Sequence, residues 1–147
     1  LNHTGDKVLL NHHKALDKWI QFGGHADGNP DIMDVAKRET EEEAGIFDFT
    51  FAIDGIFDVD THSVPTNDAK GEPEHEHFYI RYIVQCTKDV DFKISDESVN
   101  LKWCNFDEAV ELAKSNNPSL DVKDVNGMGR MLHKWNEWQQ KKHERAA

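Results

Sequence analysis

The segment from Pro30 to Ala44 constrains this chain more than any other. It reads as a helix: Asn29 suits the N-cap, Pro30 the first helical position, and Asp31 the positive end of the dipole. Gly45 suits a left-handed C-cap, with Ile46 packing back on the last turn. On a wheel of about 100° per residue, Ile32, Val35 and Ala36 form an apolar stripe. Continued toward the C-terminus, that stripe meets Glu39 and Glu43, both within about 20° of Ile32, with Glu42 on the flank. Carboxylates at this spacing lie roughly 5–6 Å apart at Cβ. Their repulsion destabilises the helix and raises their pKa values unless a cation sits among them. The helix dipole is also unfavourable to negative charge at that end. A solvated acidic face is the alternative, and Glu41, which points elsewhere, fits it. A hard, oxygen-seeking divalent cation, Mg²⁺ or Mn²⁺, accounts for Glu39, Glu42 and Glu43 together.

The charge balance bears on partners. The 147 residues carry 17 Lys+Arg against 28 Asp+Glu, a formal charge of −11. Such a surface repels nucleic-acid polymers, whose binding rests on Lys and Arg at phosphates. If phosphates are handled at all, something other than side chains must supply positive charge. Hydrophobic residues at 37% and aromatics at 10% furnish one core and exclude an acidic disordered chain, so a single domain over 1–147 is expected. No apolar run is long enough to span a membrane. Cys86 and Cys104 form no CxxC spacing and read as reduced core thiols, consistent with a cytoplasmic setting.

The remaining elements alternate in type. Lys7 to Leu10 reads as a strand after a turn at Asn2–Asp6, a hairpin whose earlier strand is expected in an N-terminal segment preceding Leu1. Trp19 to Phe22 reads as a second strand stopped by Gly23-Gly24, and Phe47 to Val59 as one or two more. Asp60 to Glu76 reads as a long polar loop, His77 to Val84 as the best strand, and Asn100 to Trp103 as a short one. Phe106 to Ser115 reads as a helix. A last helix carries Met128, Met131, Leu132, Trp135 and Trp138 on one face, with Trp138 toward its edge. The class is α/β or α+β, with a mixed sheet between helices.

At this point the residues carry a resemblance. Gly24 to Pro30, followed by Arg38-Glu39-Thr40-Glu41-Glu42-Glu43-Ala44-Gly45-Ile46, resembles the Nudix box, with Gly24, Arg38, Glu39, Glu42, Glu43, Gly45 and Ile46 matching in type and spacing. The likeness extends from Lys7 through the Trp103 strand in the order of elements. Two positions depart: Pro30 replaces the family's first Glu, and Thr40 replaces an aliphatic residue. The resemblance implies an α/β/α sandwich and hydrolysis of a diphosphate linkage, usually in a nucleoside diphosphate derivative, by water attack at phosphorus. It implies that Glu39, Glu42 and Glu43 hold Mg²⁺ or Mn²⁺ with the Gly24 carbonyl contributing, and that Arg38 orients neighbouring carboxylates. The general base is then Glu39 or Glu97, with Glu74 and Glu76 weaker candidates.

Other readings stay open. A non-catalytic module of the same fold, binding a nucleotide or a protein, finds encouragement in Pro30 alone. An unrelated domain with an acidic surface helix would leave Glu39 and Glu43 in solvent. His75 and His77 form an HxH pair at a strand entrance and, with His62, suggest zinc, against a surface or substrate-facing role. His25 adjoins Gly24 and is placed to line a phosphate cleft. His12 and His13 read as strand-end residues facing opposite ways, Trp19 as core, and Lys7, Lys14 and Lys18 as solvated. Substrate choice is expected to lie in loops such as Asp60 to Glu76.

Overall fold

A computed structural model describes residues 1–116 and 127–146. The first layer decision is made in β1 (Val8–His13), where adjacent apolar residues must face opposite sides of a sheet. Leu10 joins a core with Cys104, Ala109, Val110, Met131, Leu132 and Trp135. Leu9 joins a second core with Ala44, Ile46, Cys86 and Leu101. One core is capped by helices α2 (Phe106–Asn116) and α3 (Gly127–Ala146), the other by the end of α1 (Ile32–Ala44). The expected sandwich of helices around strands is therefore what the two faces of β1 build.

The sheet itself differs from expectation. β1 pairs antiparallel with β2 (Lys18–Ile20) on one side and with β7 (Ser98–Cys104) on the other. β3 (Phe49–Phe51) pairs with β6 (Val84–Cys86), and β4 (Asp58–Val64) with β5 (His75–Arg81). Among the described residues every named pair is antiparallel and falls into three small sheets, where one mixed sheet is expected. The two ribbons are nevertheless continuous: the Ala52 N–H donates to the Ile83 carbonyl and the Phe57 N–H to the Arg81 carbonyl.

Three boundaries are corrected. β1 continues beyond Leu10 to His13, because β7 pairs with it along its whole length. Asp60 to Val64 is strand rather than loop, its polar side chains permitted by pairing with His75–Tyr79 on a partly exposed ribbon. The α1 N-cap is Asp31, not Asn29: its carboxylate accepts from the Asp34 N–H, while the Asn29 side chain accepts from the Asp31 N–H. Pro30 thus lies just outside the helix. Gly45 ends α1 at φ 63°, where its N–H donates to the Glu41 carbonyl and a Cβ would stand 2.7 Å from that of Lys93.

Cys86 and Cys104 are buried and unbridged, one in each core, as expected of reduced thiols. Trp19 packs against the α2–α3 core and stacks on His12 at 5.0 Å, and Trp138 lies at that core's edge under Lys142. A buried ion cluster ties the β4–β5 ribbon to α3. Asp58 accepts from Arg81 and Arg130 at 2.8 Å each, and from Lys134 at 2.5 Å. Burial pushes the Asp58 carboxyl up, but the hydrogen bonds from Arg130 and Lys134 outweigh it and hold the carboxyl below its ordinary value.

Candidate active site

The stripe of α1 turns acidic where the helix passes the end of β1. Leu9 and Asn11 share the face of β1 that looks toward α1. Asn11, 1% exposed, hydrogen-bonds the Glu43 side chain, and the Gly23 N–H bonds the same carboxyl. Glu43 is itself only 8% exposed. Burial, then the neighbouring Glu39, raises its pKa to about 7, and Glu97 adds to the rise against those two hydrogen bonds. Among the described residues Glu43 forms no ion pair, the nearby Arg38 being paired with Glu39.

Glu39 is held differently. The Arg38 guanidinium donates to it at 2.9 Å, and its carboxyl lies over Gly24 so closely that a Cβ there would meet it at 2.6 Å. Gly24 is thus required by close approach rather than by backbone conformation. Glu42 is exposed on the flank, and Glu97 is exposed on the loop before β7. Its backbone carbonyl accepts from the Lys14 N–H, which ties that loop to the end of β1. The expected residues Gly24, Arg38, Glu39 and Glu43 are therefore brought into one arrangement, with Glu97 near enough to act on Glu43. Glu76 is not part of it: its side chain bonds Ser63 across the ribbon. Glu74 is exposed in the loop before β5. Thr40 satisfies its hydroxyl on the Ala36 carbonyl at 2.8 Å, so its substitution for an aliphatic leaves the helix intact.

These donors suit a hard divalent cation. A buried carboxyl beside a second one, with no ion pair among the described residues, is stabilised in its charged form by a bound cation. Among the described residues no group of three or more His, Cys, Asp or Glu side chains stands placed to hold a metal ion. Mg²⁺ does not require one, since it commonly keeps several waters and takes one or two carboxylates.

Two contributors escape a reading of the sequence alone, Asn11 and the Gly23 N–H. The signal for Asn11 is a polar residue at the inward position after Leu9, visible only once β1 is extended past Leu10. Four histidines also meet. The rings of His25, His62 and His75 lie 5.4, 5.4 and 4.9 Å from that of His77. Burial, then the neighbouring imidazoles His75, His25 and His62, lowers the His77 pKa. His12 stands apart, bonded to Asp17 at 2.9 Å.

Comparison with known proteins gives the family of the chain. The family model described as NUDIX domain matches residues 1–123. A bis(5'-nucleosyl)-tetraphosphatase (asymmetrical) of Caenorhabditis elegans is 29% identical over 117 residues, 80% of this chain and 72% of that protein. The enzyme of the same name from Rattus norvegicus is 26% identical over 113 residues, 77% and 73% of the two chains. Among solved structures, an Ap4A hydrolase of C. elegans in a binary complex superposes with a TM-score of 0.64 at 22% identity, covering 92% of this chain and 88% of that one. A NUDIX-family hydrolase of Clostridium perfringens gives 0.58 at 22% identity, covering 93% and 89%. With the family model matched over most of the chain and its glutamates gathered at one end of α1, the protein belongs to the NUDIX family.

Proposed function

We propose that this chain, a Nudix-type pyrophosphohydrolase, cleaves a diphosphate linkage in a nucleotide derivative with Mg²⁺ or Mn²⁺, dinucleoside polyphosphates being the first substrates to test. The similarity to the two tetraphosphatases supports that choice of substrate. The observation that supports metal dependence is Glu43, a carboxyl buried against Glu39 with no ion pair among the described residues.

Glu39, Glu42 and Glu43, with the Gly24 carbonyl, are the residues that would hold the ions. Bound there, divalent cations neutralise the diphosphate oxygens and lower the pKa of the attacking water. Arg38 and the bare Cα of Gly24 orient Glu39. Asn11 and the Gly23 N–H orient Glu43. Glu97 is the freer of the two candidate bases, since Glu39 is engaged by Arg38, and we assign it the proton from the attacking water. Pro30, the departure that encouraged the non-catalytic alternative, stands before the N-cap of α1, outside the helix that carries these glutamates.

The test is Glu43→Gln, assayed for Mg²⁺- and Mn²⁺-dependent release of nucleotide from a panel of dinucleoside polyphosphates, nucleotide sugars and nucleoside triphosphates. The expected outcome is cleavage by the parent protein and loss of turnover in the folded variant. Equal rates in both would overturn the site.

A further inference from the structure

His62, His75 and His77 are brought together by strand register. β4 and β5 pair so that His62 stands opposite His77, and His75 lies two residues before His77 on the same strand. All three therefore project from one face of the ribbon. The Nε2 atoms of His75 and His77 are 3.0 Å apart. The Nδ1 of His75 is 2.8 Å from the Pro73 carbonyl oxygen, which can only accept. Nδ1 thus carries the proton, and the His75 Nε2 presents a lone pair. A ring whose far nitrogen is secured by a backbone carbonyl is the arrangement of a metal-ligating histidine.

We propose that His75 and His77, through their Nε2 atoms and with His62 as third ligand, bind a divalent transition metal of the zinc, cobalt, nickel and copper class. Imidazole nitrogen favours these ions over Mg²⁺, so the site differs in donor chemistry from the carboxylates of α1. Zn–N bonds of about 2.0–2.1 Å at a near-tetrahedral angle place two nitrogens roughly 3.3 Å apart, close to the separation present. In the metal-free molecule, with the His75 Nε2 a lone-pair acceptor, His77 donates its Nε2–H across that gap. Metal binding moves the His77 proton to Nδ1 and frees both lone pairs. His62 is not yet turned to the pair: its ring stacks on Tyr79 at 5.0 Å, and rotation about its side-chain bonds completes the set. That is why no three-donor cage stands preformed among the described residues.

Cobalt(II) is the probe, added to metal-free protein and followed by its visible ligand-field absorption. The expected result is a saturable band at one equivalent, displaced by Zn²⁺ and retained in Glu43→Gln. His75→Gln and His77→Gln should each weaken binding by roughly 10-fold or more. In the unmutated protein, Zn²⁺ should shift the imidazole NMR signals of His62, His75 and His77, a reading independent of whether variants fold. No saturable band, or no such shifts, overturns the proposal. So does a band lost in Glu43→Gln but kept in both histidine variants. None of these outcomes depends on hydrolysis, so this site and the proposed activity stand or fall separately.

Discussion

Replacing Gly24 with alanine separates catalysis from folding at one atom. The new Cβ would stand 2.6 Å from the Glu39 Oε1 and Cδ and 2.7 Å from its Oε2. Ordinary contact begins near 3.4 Å, so the carboxyl must retreat by about 0.8 Å. Its retreat is cheap in stability, because the obstructed atoms are the far end of a flexible side chain and Gly24 is exposed. An off-rotamer adjustment costs about 0.5–1.5 kcal/mol. Catalysis is less forgiving: a misplacement of about 1 Å costs on the order of 100-fold in rate, or about 2.7 kcal/mol of transition-state stabilisation. The expected outcome for Gly24→Ala is therefore a fall of about 100-fold in kcat/KM on dinucleoside polyphosphates with Mg²⁺, alongside a urea midpoint close to the parent's. Steady-state kinetics and urea unfolding on the same preparation check it. A variant with parental kcat/KM would refute the reasoning, as would one whose activity fell only in proportion to the fraction unfolded.

Further outcomes follow from the same geometry. Glu43 has its pKa raised from an ordinary 4.5 to about 7, so the folded metal-free protein binds a proton there that the unfolded chain has lost. Its stability should fall as pH rises between those values, by up to about 3 kcal/mol, and Glu43→Gln should flatten that slope in denaturation series across pH. Excess Mg²⁺, competing with the same proton, should shift the acid limb of the rate profile to lower pH. Asp58→Ala removes the carboxylate shared by Arg81, Arg130 and Lys134, leaving the two arginines their longer ion pairs to Asp60 at 3.6 and 3.7 Å, and should cost about 3 kcal/mol in chemical denaturation. Because the Asp58 pKa is depressed, the parent's contribution from this cluster is present above the ordinary carboxyl range and lost as pH falls through the depressed value; the variant should lack that acid-side loss. Glu97→Gln should lower kcat with KM nearly unchanged and remove a pH-dependent limb, whereas an unaltered kcat would return the base assignment to Glu39.

The helix proposed to carry the chemistry is legible in the sequence because its determinants are local. Spacing at three and four residues, a capping aspartate, and Gly45 at the C-terminus act within one or two turns, so Arg38, Glu39, Glu42 and Glu43 can be set on α1 from sequence alone. Even there the cap shifts from Asn29 to Asp31, since the Asn29 side chain accepts from the Asp31 N–H while the Asp31 carboxylate takes the Asp34 N–H, and only the final backbone turn decides where the first helical turn begins.

What tertiary structure alone decides is which distant groups meet those glutamates. Asn11 reaches Glu43 only because β7 extends β1 past Leu10 and directs alternate residues toward α1. His62 reaches His77 only through a register fixed by strand pairing, which a one-residue slip would abolish by turning each side chain to the other face. The segment Asp60 to Glu76 shows the limit most plainly: polar composition reads as loop, yet cross-strand pairing makes Asp60 to Val64 a strand. Periodicity and caps specify single elements, while pairing partners at long sequence separation depend on the energy of the whole fold. So the sequence by itself determined the acidic helix with its aligned glutamates, and the three-dimensional arrangement decided the burial of Glu43, the cradle of Glu39 and the gathering of the histidines.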